Sequence, residues 1–240
     1  MKKIVLALIC VAAAQISFGQ NPAKVSTVQQ TTAPTDLQVS IAEVSSSKSF
    51  SQKMKDANGI TPMKIGDKVD LQAISMVDVV SDQTINFSEL KMKNGTLVMF
   101  SCNTCPFVIK AQPRTKEMMA LAKKNNIGFL IVNSNEAQRL DVDSKDKMSE
   151  YAADQDYMFY FVDEESKVAN LFGATKTPEI FLFNATDELV YTGAMDDNPG
   201  NPEEAKAFYL QEAMDALASG KEIKTTTSKS VGCSIKRVKK

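Results

Sequence analysis

The chain has 240 residues, 43% of them apolar and 24% charged, the proportions of a soluble globular protein. Lys and Arg number 28 against 29 Asp and Glu, a formal charge of -1, so no strong field favours nucleic acid. Histidine is absent, which excludes a Ser-His-Asp triad, a Cys-His nucleophile pair and His-ligated zinc or copper.

The N-terminus has the pattern of an export signal over residues 1–19. Met1-Lys2-Lys3 supplies positive charge, Ile4 to Ala14 is apolar, and Ser17 and Gly19 are small residues suited to cleavage before Gln20. The apolar run is shorter than the roughly 20 residues of a membrane span, and no later run is longer, so no stable span is expected after cleavage; an uncleaved anchor is the other reading. Cys10 as a lipid-bearing cysteine is disfavoured by Ile9, which is not small. The expected location is exported: periplasmic in a diderm bacterium, otherwise extracellular. Residues 20–58, rich in Ser, Thr and Gln with Pro22 and Pro34, read as a polar low-complexity linker with a weak strand near 37–44. The folded domain is expected over residues 59–220. Residues 221–240 read as a polar, basic tail, its end (Lys236, Arg237, Lys239 and Lys240) a solvated stretch.

Within the domain, residues 64–87 suggest a hairpin turning at Asp82-Gln83, and Ser88-Glu89-Leu90 a short helical turn. Asn94-Gly95 marks a tight turn before Thr96-Leu97-Val98-Met99-Phe100, a buried strand. Residues 106–125 carry helical spacing, with Pro113 expected to kink or split the helix. Residues 127–132 read as a second central strand, 143–151 as a polar helix, 158–162 as a short strand, and 166–172 as a helix stopped by Gly173. Pro178 sits at the first position of an apolar strand, Ile180-Phe181-Leu182-Phe183, which pairs with Leu189-Val190-Tyr191-Thr192 across a turn. Residues 202–219 read as an amphipathic closing helix. Asp141, Asp143 and Asp146 lack the glycine and spacing of a calcium loop and read as a solvated face. The order of elements predicts an α/β fold with a central mixed sheet flanked by helices.

Cleavage of the signal leaves Cys102, Cys105 and Cys233. A two-residue gap is poor for stapling a fold and good for reversible exchange. Cys102-Asn103-Thr104-Cys105-Pro106 lies where a strand hands over to a helix, whose first turn exposes backbone N–H groups and partial positive charge. That position is expected to lower the pKa of Cys102 below the free thiol value of about 8.5. Cys102 would then attack a substrate disulfide, and Cys105 would resolve the mixed disulfide. A zinc site made only of cysteines would need a second pair, which the sequence lacks, so no metal and no organic cofactor is expected. Cys233 reads either as a third redox thiol on a mobile tail, able to reach Cys102 or a partner, or as a tail cysteine with no set task.

The Cys102-to-Pro106 motif after a strand and Thr177-Pro178 before a later one resemble the thioredoxin superfamily over residues 60–220. The chain is most similar to exported bacterial redoxins, a thioredoxin-like group related to alkyl hydroperoxide reductase and thiol-specific antioxidant proteins. Gly232-Cys233-Ser234-Ile235-Lys236 also resembles the end of some members. The resemblance implies a thioredoxin-like fold, a cis bond before Pro178, and a substrate groove shaped by Thr177 and Pro178. Two departures stand out. Ser101 occupies the place of the usual thioredoxin Trp. The peroxiredoxin pattern wants Thr or Ser three residues before its cysteine, where Met99 and Cys102 stand. The reading is thus an exported thiol–disulfide oxidoreductase acting in cell redox homeostasis. Its partners would be protein or small-molecule disulfides and thiols, together with a redox partner protein. The alternatives are a thiol peroxidase, or a non-catalytic module that binds a partner or a soft metal.

Overall fold

The computed structural model of the chain describes residues 60–239; the export signal, the linker and the weak strand near 37–44 lie outside the described residues. Among the described residues, seven strands form one mixed sheet. The first two, β1 (Ser75–Asp78) and β2 (Gln83–Asn86), are an antiparallel hairpin at one edge. The centre holds β3 (Gly95–Ser101) and β4 (Ile127–Asn133), which run parallel, and β5 (Tyr160–Val162), parallel to β4. β7 (Glu179–Phe183) pairs antiparallel with β3, and β8 (Leu189–Gly193) closes the far edge. The order across the sheet is β2-β1-β5-β4-β3-β7-β8. A separate two-stranded ribbon joins β6 (Lys176–Thr177) to β9 (Cys233–Ser234).

Alternation along the central strands assigns the two core layers. Leu97 and Met99 of β3, Ile127 and Ile131 of β4, and Ile180 and Leu182 of β7 face a layer that includes Met118, Tyr160, Leu210 and Met214. Val98 and Phe100, Leu130 and Val132, and Phe181 and Phe183 face the other, with Phe87, Phe161 and Phe172. There Phe172 meets Phe100, Phe181 and Phe183 edge-on at 5.7, 5.4 and 5.4 Å between ring centroids. Each such pair adds about 0.5–1.5 kcal/mol beyond the area it buries.

The helical stretch after Cys105 is split, as Pro113 demands. α1 (Pro106–Lys110) ends at Ala111, and α2 (Gln112–Lys124) begins one residue later. Pro113 has no N–H to give the carbonyl of Ile109, so the helix cannot run through. α3 (Lys145–Asp154) is capped by the Ser144 side chain, and α4 (Lys167–Phe172) ends on Gly173.

Two expectations fail. The closing helix, α5, spans Tyr209–Ala218 and does not start at Pro202. Residues 202–204 make only a 3-10 turn, and the Asp197 carboxylate then accepts from Lys206 N and Ala207 N at 2.8 and 3.1 Å, holding the chain out of the helix. The C-terminal segment is also docked on the fold, although Lys236 and Lys239 are exposed as expected. Ile235 is buried, and the Arg237 guanidinium donates to Asn170 Oδ1 and to the Ala174 carbonyl. No described helix is long and apolar enough to cross a membrane.

Candidate active site: three thiols beside a cis proline

β3 and β4 run parallel, so their C-terminal ends open on the same edge of the sheet, with Ser101 opposite Asn133. Cys102 follows β3 directly, and Cys105 is the N-cap residue of α1 with Pro106 in its first turn. The Thr177–Pro178 bond is cis. Thr177 lies against both cysteines: its hydroxyl is 3.4 Å from Cys102 Sγ, and its carbonyl oxygen is 3.2 Å from Cys105 Sγ. Cys102 and Cys105 pack in one buried cluster with Val108, and all three described cysteines are free thiols. Cys233 is brought to the same place, its Sγ 2.7 Å from Cys105 Sγ. It reaches Cys105, not Cys102.

The site is closed. Cys102 is 2% exposed and Cys105 3%. The cover is the C-terminal segment, where β9 places Cys233 opposite Thr177 and Ser234 opposite Lys176. A Cβ on Gly232 would lie 2.1 Å from the Thr177 carbonyl oxygen, so only glycine lets the segment approach this closely. Ile235 N donates to the Thr175 carbonyl at 3.0 Å, and Lys236 N to Asn135 Oδ1 at 2.8 Å.

Beneath the dithiol is a buried polar network that the sequence reading missed. Asp143 is fully buried, not part of a solvated face. Its Oδ1 accepts from Asn103 N at 3.0 Å and Asn133 Nδ2 at 2.7 Å, and its Oδ2 from Asn135 Nδ2 at 2.9 Å. Asn103, between the two cysteines, also accepts from the Tyr160 hydroxyl at 2.9 Å and donates to the Val142 carbonyl. The motif loop is therefore pinned by its uncharged residue. The polar run Asn133-Ser134-Asn135 at the end of an apolar strand is the signal that could have pointed here, since side chains at the C-terminal ends of parallel strands line sites.

The electrostatics reverse one expectation. Cys102 is pushed well above the ordinary thiol range, first by its hydrogen bond with Cys105, then by burial, with the Asp143 charge adding to both. Cys105 is held below that range, chiefly by hydrogen bonding from Cys102 and, after it, from Cys233. Cys233 is raised to about 11 by burial and by Cys105. α1 has only five residues and its N-cap is Cys105, so Cys102 lies before the helix; the backbone hydrogen bond it takes from Cys105 lowers it too little to offset burial. Among the described residues no group of His, Cys, Asp or Glu is arranged to hold a metal ion.

A mixed sheet flanked by helices, with Cys-x-x-Cys at a strand–helix junction facing a cis proline, defines a thioredoxin-like redox protein. A family model described as Redoxin matches residues 64–209, and the chain belongs to that family. No curated protein matches it. Among solved structures it is similar to an uncharacterized conserved protein from Geobacillus kaustophilus at 28% identity and a TM-score of 0.69, covering 76% of this chain and 95% of that one. A hypothetical protein from Sinorhizobium meliloti 1021 is similar at 28% identity and a TM-score of 0.67, covering 74% and 97%. A cysteine-to-serine mutant of PrxQ from Xylella fastidiosa shares the fold at 16% identity and a TM-score of 0.50, covering 67% and 98%.

Proposed function

We propose that the chain is an exported thiol–disulfide oxidoreductase in which Cys102 attacks and Cys105 resolves. One observation carries this reading: the two thiols sit together after β3, and both contact Thr177 beside the cis proline. The Cys102 thiolate forms a bond to one sulfur of a substrate disulfide, and the other sulfur leaves as a thiolate that takes up a proton. Cys105 then attacks Cys102 Sγ and expels the second substrate thiol. The substrate gains two electrons and the pair becomes a disulfide. Attack needs Cys102 uncovered and deprotonated, so movement of β9 away from Thr177 is part of the cycle. Export rests on the N-terminal signal pattern. Thr177 and Pro178 form the wall that receives the substrate, and no cofactor takes part.

The test is exchange with a protein disulfide such as that of insulin. Cys102→Ser should fall to background, while Cys105→Ser should accumulate a mixed disulfide through Cys102. Trapping through Cys105 in Cys102→Ser would overturn the assignment of roles. Rapid consumption of hydrogen peroxide by the same chain, without protein-disulfide exchange, would replace the reading with a thiol peroxidase.

A further inference from the structure

We propose that Cys233 is the third thiol of a relay, taking over the Cys102–Cys105 disulfide to form Cys105–Cys233 and returning Cys102 to the free state. The proposal rests on the oxidoreductase reading for the source of the oxidation. Its own support is geometric. Cys105 Sγ and Cys233 Sγ are 2.7 Å apart, about 0.7 Å beyond the covalent S–S length of about 2.0 Å.

The approach is not the chance position of a loose tail. Residues on both sides of Cys233 are fixed to different parts of the fold. Gly232 packs on the Thr177 carbonyl, and Thr177 is the residue whose two oxygens contact Cys102 and Cys105. Cys233 and Ser234 pair with β6, and the Lys176 ammonium donates to Ser234 Oγ at 3.2 Å. Ile235 N and Lys236 N bond Thr175 and Asn135, Ala137 N bonds the Lys236 carbonyl, and Arg237 clasps Asn170 and the Ala174 carbonyl. A segment whose only task was to cover the dithiol could place any small side chain at residue 233. This one places a sulfur against Cys105, the middle one of the three thiols.

The order of exposure fits a relay. Cys102 and Cys105 are buried, while Cys233 is only partly so. Oxidation therefore moves outward, toward a sulfur that a reducing thiol can reach. In the transfer the Cys233 thiolate attacks Cys105 Sγ. The Cys105–Cys233 bond forms, the Cys102–Cys105 bond breaks, and Cys102 leaves as a thiolate that takes up the proton Cys233 gave up. Nothing is oxidised or reduced overall; one disulfide replaces another. A dithiol donor, or two monothiols in turn, then attacks Cys233: Cys105 leaves as a thiol, the second donor thiol clears the mixed disulfide on Cys233, the donor leaves as a disulfide, and the three thiols are restored.

The experiment is a disulfide map. Reduced chain is treated with one molar equivalent of diamide, left to equilibrate, blocked with N-ethylmaleimide and digested with trypsin without reductant. Cys102 and Cys105 fall in one peptide, residues 94–110, and Cys233 in another, residues 230–236. The expected product is these two peptides joined, in the unmodified chain and in Cys102→Ser, and not in Cys105→Ser. A closed loop within 94–110, with Cys233 fully blocked, would overturn the relay, as would a join in Cys105→Ser. The unmodified chain decides the matter even where a variant folds poorly. No substrate is used, so the two readings fail separately. A missing join beside normal loss of exchange in Cys102→Ser sinks the relay alone, whereas a clear join beside full exchange in Cys102→Ser sinks the oxidoreductase assignment.

Discussion

Asp143 is the residue that pins the loops beneath the dithiol. Its two carboxylate oxygens accept from Asn103, Asn133 and Asn135, and its charge adds to the upward shift of Cys102. Asp143→Asn keeps the shape but turns one acceptor into a donor facing donors. One buried N–H group is then left unpaired, at a cost of about 1–3 kcal/mol. The expected outcome is a lower melting temperature together with ionisation of Cys102 at lower pH, read from the pH profile of its alkylation by peptide mass. An unmoved profile would make Asp143 scaffold only. Nothing local in the sequence separates Asp143 from Asp141 and Asp146. Its burial is decided by the ends of β3 and β4, and spacing does not report which loop folds across them. The cysteines and Thr177-Pro178 were legible because two of their features are local: a two-residue gap after an apolar run, and a proline opening a strand.

At the scale of elements, the buried strands and the split helix were legible for the same kind of reason. β3 and β4 are apolar along their length, and Pro113 cannot continue a helix whatever surrounds it. β9 was not legible. Two residues, Cys233 and Ser234, carry no period, and they become a strand only because β6 offers an edge. Gly232→Ala tests that edge. The new Cβ would meet the Thr177 carbonyl oxygen at 2.1 Å, against backbone that cannot swing aside. The strand is expected to lift, and a loss of about 1.4 kcal/mol in its pairing would raise the open population about tenfold. Cys102 and Cys105 should then alkylate faster by a similar factor; an unchanged rate would mean that β9 does not gate them. Gly95, at φ 132°, has the corresponding role in the main sheet, where a Cβ would lie 2.0 Å from the Phe183 carbonyl oxygen. Gly95→Ala should destabilise the fold by about 1–3 kcal/mol from the strained backbone, and further from the clash, measured by urea unfolding.

Across the whole molecule, the buried phenols and Cys102 make stability depend on alkaline pH. Burial pushes Tyr151 up to about 12 and raises Tyr157, Tyr160 and Tyr191 as well. In each case the folded pKa lies above the unfolded one, so the unfolded chain releases protons first as pH rises. The stability these groups contribute is complete below their ordinary values, 9.0 for the thiol and 10.0 for the phenols, and is lost progressively above them. The melting temperature of the reduced chain should therefore fall steadily above about pH 9. A flat curve to about pH 11 would contradict this assignment. A second consequence follows from the position of Cys233. Cys105 and Cys233 are 128 residues apart, whereas Cys102 and Cys105 close a loop of only a few residues. In the chain-entropy account the long loop restrains the unfolded chain by about 3 kcal/mol more than the short one. The same two electrons would therefore be worth different amounts of heat resistance according to where they were removed. Oxidised Cys102→Ser should melt above its reduced form by clearly more than oxidised Cys233→Ser melts above its own. A melting curve would then tell which pair of sulfurs is bonded.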